Sequence, residues 1–280
     1  MKNLLVFLAP GAAGALGHLH GILQAGAAGL IFALASSGNY LINDVHDIEN
    51  DRAHPTKRYR PIASGQVSVG LASSLGLLLI VLSIGSAWWL AGRSLALCIV
   101  SYVILTTAYS LFFKRVAYVE LLIVASGFVL RAIAGGVAVH ISISPWFLLV
   151  TSTAALLIGT GKRTGELMLL KDQSAAHRSV NRYYSLRSLT RLRVLVEVIA
   201  TAGYGLWAFS QAARLDAIHD SGDDIFFKLS IAPFVVGLVV LENALRGGDG
   251  AEPETLALHN HQLQLAGVFC VGLVAAGVYL

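Results

Sequence analysis

Long apolar runs broken by short polar passages set the pattern of this chain. Runs of roughly twenty apolar residues, enough to cross a bilayer as a helix, recur near 3–17, 21–43, 69–91, 94–112, 117–139, 144–161, 190–212, 226–245 and 262–280. The first is short and rich in glycine. The expected fold is all-α: a multi-pass membrane protein of about nine transmembrane helices, in one integral-membrane domain over 1–280. Met1 to Pro10 is apolar but leads into further spans without a cleavage pattern, so no cleavable signal is expected. Neither a tandem repeat nor a low-complexity stretch interrupts the series.

Composition agrees with this pattern. The 280 residues are 56% hydrophobic and 13% charged, with mean hydropathy +0.70, more apolar surface than a water-soluble domain of this length could bury. The net charge of +4 does not argue for a nucleic-acid partner, because membrane proteins concentrate Lys and Arg on cytoplasmic loops. Position is what matters. With the N-terminus inside, the inner side takes Lys2, Arg52, Lys57, Arg58, Arg60, Lys114, Arg115, Lys162, Arg163 and Lys171. Arg178, Arg182, Arg187, Arg191, Arg193 and Arg246 join them. Arg93, Arg214 and Lys228 fall outside with an acidic stretch near Asp216–Asp224, and Arg131 lies within a span. Two long inner loops, 44–68 and 162–189, are where a membrane enzyme would gather its chemistry.

The first of these holds the richest constellation, NDVHDIENDRAHPTKRYRPIASG from Asn43 to Gly65. Asp44, Asp47 and Asp51, spaced three and four apart, share a face if the helix continues through them, with Asn43 on its flank. Three carboxylates on one face repel one another unless a cation sits among them, and hard oxygen donors of this kind suit Mg²⁺. Acids at a helix C-terminus also oppose the macrodipole, so helix stability is a poor reason for them. The helix is expected to stop before Pro55. Lys57, Arg58 and Arg60 follow, with forks and point charges that suit phosphate. Acids paired to Arg52 or Lys57, and bases resting on lipid headgroups, are the plainer alternatives.

Two further groups are candidates. Glu120 and Arg131 stand eleven residues apart on one helix face beside Gly127 and Gly135, with Lys114 and Arg115 just before them. An intramembrane arginine points to function, with a structural ion pair as the alternative. Tyr102, Thr106, Tyr109 and Phe113 make a stripe on the preceding span that can line a site or simply pack. Lys162, Arg163 and Glu166 lie within one turn in GTGKRTGE. That string lacks the strand and spacing of a phosphate-binding P-loop, so anion binding at a span end or a stop-transfer charge pair remain. Cys98 and Cys270 read as buried free thiols, and no histidine pair has the spacing of a catalytic metal site.

The acidic motif NDxxDxxxD, followed by a basic loop and RPIASG ahead of many spans, resembles the UbiA superfamily of intramembrane prenyltransferases. The likeness continues through YSLFFKRVAYVELLIVASGFVLRAIAGGVAV and GTGKRTGELMLL and covers nearly the whole chain. HPTKRYRPIASG and GKRTGE resemble the subgroup that uses 5-phosphoribosyl 1-diphosphate rather than a prenyl diphosphate. The resemblance implies a helical bundle around a central cavity. It also implies transfer of 5-phosphoribose to decaprenyl or another polyprenyl phosphate, with release of diphosphate, in arabinan precursor synthesis for the cell wall.

In that reading Mg²⁺ sits on Asp44, Asp47 and Asp51 with Asn43 assisting, and Lys57, Arg58 and Arg60 grip the diphosphate or 5-phosphate. Lys162 and Arg163, with Lys114 and Arg131, position the lipid phosphate. Tyr109, Glu120 and Glu166 complete the expected substrate site. Membrane lipids are further partners, the location is a bacterial cell membrane with the site facing the cytoplasm, and a homo-oligomer stays open. Ordinary members of the superfamily carry a second acidic motif where this chain has Lys162, Arg163 and Glu166. An aromatic prenyltransferase and a transporter of a phosphorylated solute are the rival expectations.

Overall fold

Helices follow the apolar runs almost one for one. The computed structural model describes residues 2–170, 183–216, 225–247 and 253–279, and among these there is no strand. After a 3₁₀ segment at Lys2–Phe7 come α1 (Leu8–Ala12), α2 (Leu19–His46), α3 (Ile48–Ala53), α4 (Val69–Leu111) and α5 (Val119–Ala138). Then follow α6 (Pro145–Leu170), α7 (Leu186–Asp216), α8 (Ile225–Leu229), α9 (Ile231–Gly247), α10 (Pro253–His259) and α11 (His261–Tyr279). The acidic stretch 217–224 and residues 171–182 of the second inner loop lie outside the described residues.

Six helices among the described residues are long and apolar enough to cross a membrane, so this is a multi-pass membrane protein, but the count of nine is not reached. Three physical features account for the difference. α4 is 43 residues long because it carries two apolar runs, divided where Ala91 (φ −142°, ψ 26°) and Gly92 (φ 63°, ψ −152°) leave the helical region. Gly92 can take that positive φ because it has no Cβ. α6 dilutes its apolar run with Thr151, Ser152, Thr153 and Thr160, and Lys162 and Arg163 close that run before the helix ends at Leu170. The first run is broken into Lys2–Phe7, Leu8–Ala12 and Ala15–Gly17.

The chain divides into two compact units, Met1–Pro10, His18–Phe113 and Leu130–Ser142 in one, and Gly11–Gly17, Lys114–Val129 and Ile143–Leu280 in the other. In the first, α2 packs along α4 around Phe32, Ala35, Leu95, Ile99 and Tyr102. Lipid tails are as apolar as the helices, so association depends on close packing and interhelical hydrogen bonds. Both devices are present. A Cβ on Gly38 would lie 2.6 Å from the Gly76 carbonyl oxygen, so the two backbones touch. Beside that crossing, the Asn39 amide donates to Thr106 and accepts from Thr107 Oγ1 at 3.0 Å.

In the second unit α6 packs on α7, and α9 on α11. Its aromatic core stacks Tyr204 on Phe234 with ring centroids 4.0 Å apart and sets Trp207 edge-on to Phe227. A separate cluster joins Leu121, Tyr184 and Leu189. The cysteines are free thiols as expected, though half-buried rather than buried, and Cys270 Sγ lies 3.2 Å from Tyr204 Oη.

The glycine crossing yields a test. Gly38→Ala should push α2 off α4 and destabilise the protein by about 1–3 kcal/mol, as overpacking does elsewhere. Thermal unfolding in detergent reads this out, and an unchanged midpoint would refute the contact.

Candidate active site

The acidic helix end is built differently from a single continuous stripe. α2 stops at His46, Asp47 takes φ −91° and ψ 9° at the junction, and α3 begins at Ile48. The i→i−4 ladder nevertheless carries through, with Asp47 N–H donating to the Asn43 carbonyl (2.9 Å) and Asp51 N–H to the Asp47 carbonyl (2.8 Å). Asp44 and Asp51, two turns apart, therefore keep a common side. α3 ends at Ala53, and His54 turns extended (φ −87°, ψ 138°) just before Pro55, as a proline requires of its predecessor.

Arg60 closes this site. Its Nη1 donates to Asp44 Oδ1 and to Asp51 Oδ2, at 2.9 Å each. Asp51 is buried, while Asp44 and Arg60 keep partial exposure. The loop is folded to place that arginine. Ile62 and Ala63 are buried, Arg52 Nε holds the Ala63 carbonyl (3.1 Å), and Val67 N–H donates to the Pro61 carbonyl (3.0 Å). Arg52 also pairs with Glu49, while Asp44 and Asp51 take Arg60 as partner. Lys57 and Arg58 are exposed, Arg58 lying over the Tyr59 ring at 4.8 Å. Asn43, Asp47 and Tyr109 are half-buried.

Whether these acids fit a metal can be judged from their donors. Two carboxylate oxygens already converge on one positive nitrogen, and both are hard donors. Among the described residues no three His, Cys, Asp or Glu side chains form a ready-made metal cage. Mg²⁺ does not need one, because it usually takes one or two carboxylates with water and substrate phosphates. The residues fit.

Arg131 is placed as an internal cation of the first unit. It is 6% exposed; Nε donates to Asn3 Oδ1 (2.9 Å), and Nη2 donates to Tyr102 Oη (2.9 Å) and Ser36 Oγ (3.2 Å). The Tyr102 ring lies 4.7 Å from its guanidinium carbon and that of Phe32 5.4 Å, so aromatic faces share the charge. Tyr102 of the stripe on α4 thus serves both packing and polar contact.

In the second unit Glu120, fully buried, binds Arg163. Nη2 donates to Oε2 at 2.9 Å, Nε lies against Oε1, and Nη1 is paired with Glu166. Such a planar fork suits two carboxylates. Lys162, the neighbour of Arg163, is exposed, and Lys114 is half-buried. The apolar pattern does not reveal Tyr184, which completes this cluster by donating to Glu120 Oε1 (3.1 Å) and accepting the Tyr118 N–H (2.8 Å). Burial raises the Tyr184 pKa above the ordinary phenol range, so it remains a donor. Tyr118 is held at φ 64°, outside the usual range for a side-chain-bearing residue.

A second ion pair also escaped the sequence reading. Arg193, 1% exposed, grips Glu242 through Nε (2.9 Å) and Nη2 (3.3 Å) and donates to Thr164 Oγ1, beside Arg163. Arg246 Nε adds a bond to Glu242 at 2.7 Å. The available signal was two Arg/Glu pairs four residues apart, Arg193 with Glu197 and Glu242 with Arg246, inside apolar runs.

An acid-rich helix end with a basic loop, on membrane helices, is the architecture of an intramembrane transferase, and the chain belongs to the UbiA prenyltransferase family, whose model matches residues 4–213. Its relatives narrow the comparison. A decaprenyl-phosphate phosphoribosyltransferase of Mycolicibacterium smegmatis is 39% identical over 100% of this chain and 89% of its own length. A protein of the same name from Corynebacterium glutamicum is 36% identical over 97% of this chain and 82% of its own. The solved UbiA homologue from Archaeoglobus fulgidus bound to DMAPP and Mg²⁺ has the same fold, with TM-score 0.65 and 16% identity over 99% of this chain and 98% of that one.

Removing one side of the Glu120–Arg163 pair should be costly. Glu120→Gln leaves Arg163 with Glu166 as its carboxylate partner, so the loss should fall below the about 3–5 kcal/mol seen when a buried charge is left wholly unpaired. A thermal unfolding midpoint equal to wild type would rule out the pair as a structural anchor.

Proposed function

We propose that this chain transfers 5-phosphoribose from 5-phosphoribosyl 1-diphosphate to a polyprenyl phosphate such as decaprenyl phosphate, releasing diphosphate. The observation that carries the proposal is the convergence of Asp44 and Asp51 on a single cation beside a basic loop. Full-length likeness to proteins named decaprenyl-phosphate phosphoribosyltransferase supports the choice of substrates. The product would be a lipid-linked pentose phosphate, a precursor for arabinan in the cell wall.

Asp44, Asp47 and Asp51, with Asn43, would hold Mg²⁺, which supplies Lewis-acid neutralisation of the diphosphate's charge when bound. Lys57, Arg58 and Arg60 bind the diphosphate and 5-phosphate oxygens. Lys162 and Lys114 bind the lipid phosphate, while Glu120, Glu166 and Tyr184 hold Arg163 in place at the same helix end. Tyr109 lines the substrate side of α4.

A phosphate oxygen of the lipid attacks the anomeric carbon, the bond from that carbon to the diphosphate breaks, and the diphosphate leaves with the electron pair. The attacking oxygen is already ionised near neutral pH, so alignment and fixed charge carry the catalysis without a strong general base. The excess of basic residues in Asn43–Gly65 supports a cytoplasmic site, where a soluble phosphosugar would have access.

Membranes holding the chain, given labelled phosphoribosyl diphosphate and polyprenyl phosphate, should move label into the lipid phase only when Mg²⁺ is present. Asp47→Ala and Asp51→Ala should lower this by about two orders of magnitude or more while membrane insertion is kept. Label transfer at the wild-type rate in both variants defeats the metal role. Product formed only from a prenyl diphosphate and an aromatic acceptor defeats the substrate assignment.

A further inference from the structure

We infer that Arg60 is an exchange residue: it occupies the cation position between Asp44 and Asp51 when the site is empty, and gives up those acids when a divalent ion enters. This deepens the proposed function and rests on its assignment of the acids to a metal. The geometry is specific. One nitrogen, Nη1, makes both contacts at equal distance, instead of one acid taking the whole fork. A guanidinium that only needed a partner would do better in a two-pronged pair with a single carboxylate. Here one positive atom is shared, as an ion would be.

The surroundings allow the exchange. Arg60 is about two-fifths exposed, so its side chain can swing into water. Its loop stays anchored without it, through buried Ile62 and Ala63, the Arg52 bond to the Ala63 carbonyl, and the Val67 bond to the Pro61 carbonyl. Asp51 is the fixed side, with its side chain only 6% exposed. A divalent ion taking Asp44 Oδ1 and Asp51 Oδ2 would compete with Arg60 Nη1 for the same two oxygens. The displaced Arg60 charge is then available to a phosphate oxygen. Metal and diphosphate binding become coupled through one side chain: the acids keep a cationic partner while the site waits, and the fork turns to substrate once the ion is in.

Mn²⁺ binding to the purified full chain, followed by electron paramagnetic resonance without any substrate, tests this apart from turnover. Loss of a charge-assisted competitor should make Arg60→Ala bind Mn²⁺ about tenfold tighter than wild type, with Arg60→Lys between them. Adding Asp51→Asn to Arg60→Ala should cancel the gain. Equal or weaker binding in Arg60→Ala overturns the exchange, while absence of Mn²⁺ binding from every protein overturns the metal assignment beneath it. Wild-type protein gives a second readout that needs no variant. Mg²⁺ should speed modification of Arg60 by phenylglyoxal, measured by mass spectrometry on the Arg60 peptide, because the guanidinium is set free. Unchanged or slower modification overturns the exchange even if a variant fails to fold.

Discussion

A charge drawn among membrane helices must find an opposite charge or a set of hydrogen bonds, because the hydrocarbon offers no water to solvate it. That constraint organises both units of this protein. Arg131 is satisfied by neutral oxygens from three other stretches of chain, Asn3, Ser36 and Tyr102, and by two aromatic faces. Glu120 and Arg163 satisfy each other, as do Arg193 and Glu242. Each of these contacts ties together segments far apart in sequence, so every buried charge also acts as a staple. Apolar surface alone could not do this, since a leucine gains little by leaving lipid for another helix.

The acidic site obeys the same rule under different conditions. Asp44, Asp47 and Asp51 stand where α2 gives way to α3, so the helix junction brings carboxylates to a common point without burying all of them. Arg60 pairs with two of the acids while remaining partly in water. A partly exposed contact of this kind contributes less than a fully buried pair, while the loop itself is held by buried Ile62 and Ala63. The buried pairs of the second unit lack that exposure. Arg163 is held between Glu120 and Glu166, and Lys162 beside it is exposed.

Under the proposed transfer this division of labour has a chemical sense. A diphosphate donor carries dense negative charge and leaves as an anion, which suits acids that bind a divalent ion together with a basic loop. A lipid monophosphate has less charge and must keep its oxygen nucleophilic, which suits lysines. The departure from the usual second acidic motif of the superfamily thus falls where the two substrates differ.

Much of this was legible from residue order. Apolar runs of membrane length located the helices because lipid demands them locally, and Pro55 ended α3 because of its own backbone sterics. The spacing of Asp44 and Asp51 placed them together for the same local reason. Partner choice was not legible. That Arg60, and not Arg52 or Lys57, meets the acids depends on how Ile62 and Ala63 bury the loop. That Glu120 takes Arg163 and Tyr184, while Arg131 takes Asn3, Ser36 and Tyr102, depends on how helices pack across 29 to 128 residues of sequence. The sequence by itself determined where the charged residues fall along the apolar runs, and put Arg131 inside one of them. Only the tertiary structure decided which charge neutralises which, because electrostatic pairing is set by distance in space and not by order along the chain.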